Sequence, residues 1–216
     1  MADLIKRFQD PDNLTDEELL TLLLRYGQSD PAATAKRLLD RFHTIANLME
    51  VDADDLRTVE GLTETSVLLL QLVPELHRRY FISRNRGRTT LHNTSDYAAY
   101  MMPCFYGVRN EQVHALLLDA NAIVLECVCL GEGSVNSANV PVRNLVHEVL
   151  ISNATGVVLA HNHPSGLFVP SKEDVELTMR LRECLNMMDV LLIDHLIIVQ
   201  DDYLSMRESG YFKNFY

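Results

Sequence analysis

Residues 161–174 read HNHPSGLFVPSKED, and four of their side chains have the types and spacing to do chemistry together. Side chains of an extended strand alternate in direction, so His161 and His163 leave the end of TGVVLA on one face. Pro164 and Gly166 then turn the chain. Ser171 follows Pro170 and opens a helical run, the place of an N-cap, and Asp174 lies three residues on in the first turn. Folding that helix back over the strand end carries Asp174 toward the two imidazoles. Two histidines and a carboxylate suit a zinc-type ion and leave one tetrahedral position open, as catalytic rather than structural zinc requires. Each feature also has a plainer explanation. Ser171 as a cap is worth about 1 kcal/mol without any catalysis, and Asp174 near a helix N-terminus is favoured by the helix dipole. Both in register behind paired histidines point to metal binding.

The elements that must position this stretch follow from hydrophobic rhythm. After SRNRGRTTLHNTS come a helix in SDYAAYMMPCF and four short runs rich in β-branched residues, EQVHALLLDA, AIVLECVCLG, TGVVLAHNH and VLLIDHLIIVQ. Helices are expected between them, at about 141–153 and 171–188. Strands alternating with helices around a buried run such as GVVLA predict an α/β layered domain. Residues 14–82 carry helical periodicity throughout, in about five short helices. The first has Thr15 as N-cap with Glu18 three residues later and stops at Gly27; the second has Pro31 in its first turn.

With 216 residues the chain is long enough for two domains. A formal net charge of −11, with acidity shared by both halves, argues against a broad basic surface for nucleic acid. The local exception is Arg84, Arg86 and Arg88 in RNRGR, which reads as a solvated hinge. No run approaches the ~20 apolar residues of a membrane span, and the start lacks the features of a secretory signal. Cys104, Cys127, Cys129 and Cys184 form no CxxC pair and read as reduced thiols, with Cys127 and Cys129 on one strand face. A cytoplasmic location is expected.

The pattern His-x-His-Pro, then Ser, two residues and Asp resembles the JAMM (MPN-plus) metalloprotease motif, running here from His161 to Asp174. AHNHPSG with PSKED and IDHLIIV is similar, more narrowly, to the bacterial RadC-like proteins, of the family historically called DNA repair protein RadC. ELLTLLLRYG and VEGLTETSVLLLQLVPELHRR extend the likeness to the first half. The resemblance implies an N-terminal helical, helix-hairpin-helix-like domain over 1–83 and a linker over 84–92. A cytidine-deaminase-like JAMM/MPN α/β domain with a mixed sheet is then expected over 93–216. It also implies one Zn2+ per chain on His161, His163 and Asp174, which would acidify a bound water and polarise a carbonyl. Glu111 in RNEQVHALLLD matches the family's upstream glutamate and is expected as general base; without the family it reads as a solvated strand-entry residue. Ser171 would donate to the developing oxyanion. The implied reaction is hydrolysis of an amide bond in a peptide or protein.

Other residues carry weaker expectations. Asp194-His195 matches a RadC-family pair and either orients a ligand or neighbouring loop or is a satisfied core pair. Asn162, Ser165 and Gly166 are expected to shape the turn beneath the metal, and Ser137 is a minor candidate for lining the groove. His114 and His147 read as packing or surface residues rather than ligands.

Two departures from the family pattern stand out. In VEGLTETS the second glycine of a hairpin turn is replaced, and Glu64 brings a carboxylate where a DNA phosphate would approach. Where the family has Pro-Arg-Glu, this chain has Val142-Arg143-Asn144. The leading expectation is therefore a zinc-dependent peptidase or isopeptidase. The alternatives are a DNA repair or recombination accessory whose helical half docks nucleic acid, and a metal-binding scaffold without turnover. A membrane partner is not expected.

Overall fold

Caps punctuate the first half of the chain. Thr15 and Glu18 form a reciprocal capping box: the Glu18 amide donates to Thr15 Oγ1 at 3.2 Å, and the Thr15 amide donates to the Glu18 carboxylate at 3.0 Å. Asp30, Thr44 and Asp52 cap the next three helices in the same manner, each accepting from the amide three residues on. Pro31 occupies the first turn of its helix, where its missing N–H costs nothing.

The structure, a computed structural model, describes residues 2–8, 11–85, 89–132 and 140–212. Its elements run α1 (Ala2–Arg7), α2 (Asp16–Leu24), α3 (Pro31–Phe42), α4 (Ile45–Met49), α5 (Ala53–Arg57), α6 (Glu64–Asn85), α7 (Thr94–Met101), β1 (Gln112–Leu118), β2 (Val124–Glu132), α8 (Val140–Ser152), β3 (Gly156–Asn162), α9 (Lys172–Asn186), β4 (Leu191–Val199) and β5 (Asp202–Ser205). Short 3-10 turns cover Pro11–Asn13 and Met102–Phe105. The fold is thus a set of N-terminal helices followed by a mixed α/β domain. Contacts divide it into two units, Met1–His77 and Arg78–Tyr216, and the division falls within α6, which continues through Asn85. Of the expected linker, residues 86–88, with Arg86 and Arg88, lie outside the described residues.

In the helical unit Leu20, Leu24, Leu38, Leu48, Leu56 and Leu70 are buried against one another. Gly27, just past α2, is where that helix end meets the start of α6. Thr63 Oγ1 donates to the Gly27 carbonyl at 2.6 Å, and a Cβ built on Gly27 would lie 2.5 Å from Ser66 Oγ and 3.1 Å from the Ser66 amide.

The second unit is a five-stranded mixed sheet in the order β2-β1-β3-β4-β5. β1 is antiparallel to β2 and to β3, β3 and β4 are parallel, and β5 returns antiparallel on β4. Every residue of β3 is buried, as a central strand with both faces covered requires. One face packs Leu117, Val157, Leu159 and Ile197 against α8 and α9 side chains such as Leu145, Leu181 and Leu185. The other packs Leu116, Val158, Ala160 and Ile198 against Tyr97 and Met101 of α7. Among the described residues no helix is long and apolar enough to cross a membrane.

The close approach at Gly27 gives a test: Gly27→Ala forces the Ser66 segment to shift. Overpacking of this kind costs about 1–3 kcal/mol, so urea unfolding should show that loss. An unchanged midpoint would mean that the α2–α6 contact is looser than described.

Candidate metal centre

β3 ends where the chemistry begins. His161 lies opposite Val113 of β1, and the strand is held past its end by the His163 amide donating to the Ile198 carbonyl at 2.9 Å. The turn then closes with the Gly166 amide on the His163 carbonyl at 3.0 Å, Gly166 itself at φ +80°, a conformation only glycine adopts without strain. The chain reaches Ser171, whose Oγ accepts from the Asp174 amide at 3.1 Å, while the Ser171 amide donates to Asp174 Oδ2 at 2.8 Å. This second capping box starts α9 and aims the Asp174 carboxylate back at the strand end.

The result is a tight triad. His161 Nε2 and His163 Nε2 are 2.8 Å apart; Asp174 Oδ1 lies 3.2 Å from the first and Oδ2 3.4 Å from the second. His161 and Asp174 are each 1% exposed, and His163 forms the rim.

The surrounding hydrogen bonds decide which nitrogens carry protons. Thr178 Oγ1 donates to the Asp174 carbonyl at 2.6 Å, so it must accept from His195 Nδ1, 2.6 Å away. His195 Nε2 is then bare and accepts from His161 Nδ1 at 2.8 Å. His161 Nε2 is left with its lone pair facing the triad. His163 Nδ1 donates to the Leu167 carbonyl at 2.6 Å, which leaves its Nε2 bare in the same way. Two lone pairs and a carboxylate converge, and only a cation between them, a proton or a metal ion, satisfies all three.

The electrostatics agree. The bond to Asp174 raises the His163 pKa against the opposing effect of burial, with Leu167 and Glu111 adding to the rise. Burial alone would raise the Asp174 carboxyl. The contacts from His161 and His163 and the bond from Ser171 outweigh it and hold the group well below the usual carboxylate range. Burial, followed by the charge of His161, keeps His195 neutral.

Glu111 is half-buried immediately before β1, close enough to His163 to act on its charge. Its place is set by Asn162, a residue expected from the sequence to shape the turn after β3. Asn162 Oδ1 accepts from the Gln112 amide at 2.7 Å and its Nδ2 donates to the Asn110 carbonyl at 3.0 Å, bracketing Glu111 on both sides. Asp194 and His195 separate onto opposite faces. His195 orients His161, whereas Asp194 accepts from Ser205 Oγ at 2.6 Å and from the His195 amide at 2.7 Å, tying down the chain after β4. His147 is exposed on α8, and Asn144 Nδ2 donates to the Leu130 carbonyl at 2.6 Å. Ser137 lies outside the described residues.

Thr178 carries no signal in the sequence apart from its place one turn after Asp174, on the same helix face. The donor set around it is a plain inventory of zinc ligands: two imidazole nitrogens with bare lone pairs and one carboxylate.

A mixed sheet with this cluster at the end of its central strand is the architecture of a JAMM-type domain, and the family model of the RadC-like JAB domain matches residues 91–211. The chain belongs to the RadC-like family. Its relatives include a "UPF0758 protein" of Geobacillus thermodenitrificans, 32% identical over 203 residues, covering 93% of this chain and 90% of that protein. Proteins of the same name from Pseudomonas savastanoi pv. phaseolicola and Ectopseudomonas mendocina are 33% and 36% identical over 200 residues, covering 92% of this chain and 89% of each.

The hydrogen-bond chain from the Asp174 carbonyl to His161 carries a prediction independent of any reaction. In Thr178→Val, nearly isosteric, the Asp174 carbonyl keeps the helical bond from the backbone amide four residues on, but His195 Nδ1 is left buried without its partner, costing about 1–3 kcal/mol of stability. The substitution also releases the His195 tautomer, which imidazole nitrogen NMR reads directly. A His195 signal unchanged in the variant would show that the hydroxyl does not set the tautomer.

Proposed function

We propose that the chain is a zinc-dependent hydrolase of peptide or isopeptide bonds, with Zn2+ on His161, His163 and Asp174. The observation that carries this reading is the convergence of two bare imidazole nitrogens and a carboxylate beside a separate carboxylate, Glu111. A scaffold that only bound metal would have no use for the second. When bound, zinc acidifies a coordinated water toward a pKa of about 7 and polarises a carbonyl.

The chain's own residues supply the rest. Glu111, held at the rim by Asn162, accepts a proton on its carboxylate and returns it to the leaving nitrogen, a contribution of about 100- to 10,000-fold. Ser171 donates its hydroxyl proton to Asp174 Oδ2 at 2.7 Å in this structure. Rotation of that hydroxyl redirects the proton to the oxyanion that develops on the substrate carbonyl. Leu167, Phe168 and Val169 stand exposed on the loop between His163 and Ser171, an apolar wall beside which an extended peptide can lie.

The DNA-docking alternative fares worse at its own site. In the degenerate hairpin turn, the Glu64 carboxylate accepts from Arg57 Nε at 2.9 Å, so the nearby cation is already engaged where a phosphate would have to compete.

The test separates metal from chemistry. Zinc-loaded protein is incubated with a peptide library, and new termini are read by mass spectrometry. Wild type should cleave. Glu111→Gln should keep its zinc by elemental analysis and lose at least about 100-fold in rate. His163→Ala should also lose the zinc of this centre, one ion per chain fewer than wild type. Undiminished cleavage by Glu111→Gln would remove the assigned base, and a fully zinc-loaded wild type that yields no new termini would sink peptide hydrolysis.

A further inference from the structure

On the opposite face of the sheet, three of the chain's four cysteines gather around a buried histidine. Cys104 comes from the 3-10 turn after α7, His114 from β1, and Cys127 and Cys129 from one face of β2, opposite Leu116 and His114 in register. The sulfurs of Cys104 and Cys127 are 3.5 Å apart, and a ring nitrogen of His114 completes a group whose ligand atoms all lie within 4.8 Å of one another. All three residues are buried. From the sequence alone His114 reads as a packing or surface residue and the cysteines as reduced thiols, two of them on one strand face; the structure brings them together.

The protonation of His114 follows from its partners. Gln112 Nε2 donates to the Glu132 carboxylate at 3.3 Å, which turns the amide oxygen toward His114. That oxygen takes the proton of His114 Nε2 at 3.0 Å. In the neutral ring Nδ1 is therefore a bare lone pair. It is buried in a residue 1% exposed, and no hydrogen bond of acceptable geometry reaches it, although the Cys104 and Cys129 thiols lie near enough to act on its charge. The Tyr100 hydroxyl, close enough to Cys127 and Cys104 for their charges to act on it, is likewise buried without a partner. Buried polar atoms are rarely left so, and two around one pair of thiols call for a ligand.

We propose that Cys104, His114 and Cys127, closed by Cys129, form a second metal site of the structural zinc type. Two sulfurs sharing one zinc at ~2.3 Å stand about 3.8 Å apart, close to the spacing found here. Thiolate-rich sets select soft or borderline ions such as Zn2+ over Mg2+ or Ca2+. Cys129, exposed at the strand's rim, supplies the fourth vertex by turning its side chain inward. The site would staple the 3-10 turn to the two strands that support Glu111, and it stands independently of the proposed hydrolysis.

Cobalt substitution distinguishes the two centres, because only a thiolate site yields a sulfur-to-cobalt charge-transfer band in the near ultraviolet. Full-length reduced protein, stripped by chelator and reloaded with Co2+, should take two ions per chain and show the band. His163→Ala should bind one ion and keep the band. Cys127→Ser should bind one and lose it, and wild type loaded with zinc should hide three thiols from a thiol reagent that reacts with them after stripping. A cobalt-loaded wild type without the charge-transfer band overturns the proposal, and so does equal thiol reactivity with and without zinc. Because both readouts use wild type, they hold even where Cys127→Ser fails to fold.

Discussion

Two imidazole lone pairs and a carboxylate that face one another at 2.8–3.4 Å cannot coexist without a cation among them. The rest of the domain is arranged to hold that unfavourable set together. The carboxylate and one imidazole are almost wholly removed from water, where mutual repulsion is strongest and solvent cannot dilute it. What resists separation is local and specific. A fully buried strand presents the histidines, a capping box returns the carboxylate, and a chain of hydrogen bonds from the Asp174 carbonyl through Thr178 and His195 fixes which His161 nitrogen is bare. The chain starts and ends on the triad, so the backbone of one member orients the ring of another.

The period-two alternation of strands explains why a single sheet carries two clusters without mixing them. Val113 and His161 face the helices α8 and α9, while the next residue, His114, faces α7 and the cysteines. Gln112 is the residue they share. Its backbone amide is held by Asn162 beside Glu111, and its side chain orients His114. A shift of β1 by one residue would exchange the faces and destroy both arrangements at once, so register along this strand is constrained from two sides.

Much of this was legible in the sequence, and the reasons differ by element. Helix α2 declared itself through its capping signals, α3 through Pro31 in its first turn, the helices after them through apolar periodicity, and β1 to β4 through short apolar runs closed by turn residues. β5 did not, because four residues following an Asp-rich turn carry too little pattern to separate from a loop. His161, His163, Ser171 and Asp174 were readable because strand alternation and the cap spacing are short-range rules. Thr178, Asn162 and the gathering of Cys104, His114 and Cys127 were not. Each depends on which strands become neighbours, and the order β2-β1-β3-β4 places residues more than ten positions apart side by side. Asn162 shows the limit well. Its position in the motif suggested a turn residue, but as the last residue of a central strand it faces the other side and reaches the segment before β1.

Asp174 shows why the single features of the motif look ordinary when taken apart. A capping box asks its third residue to accept the N-cap amide, and Asp174 does so through Oδ2. Oδ1 stays turned toward His161. Glutamate, common at this position of capping boxes, carries an extra methylene that would push the carboxylate past the strand end. The shorter aspartate keeps both oxygens within reach of both tasks. The helix start and the third member of the triad are therefore the same group, and a substitution that preserves the cap alone would still disperse the triad.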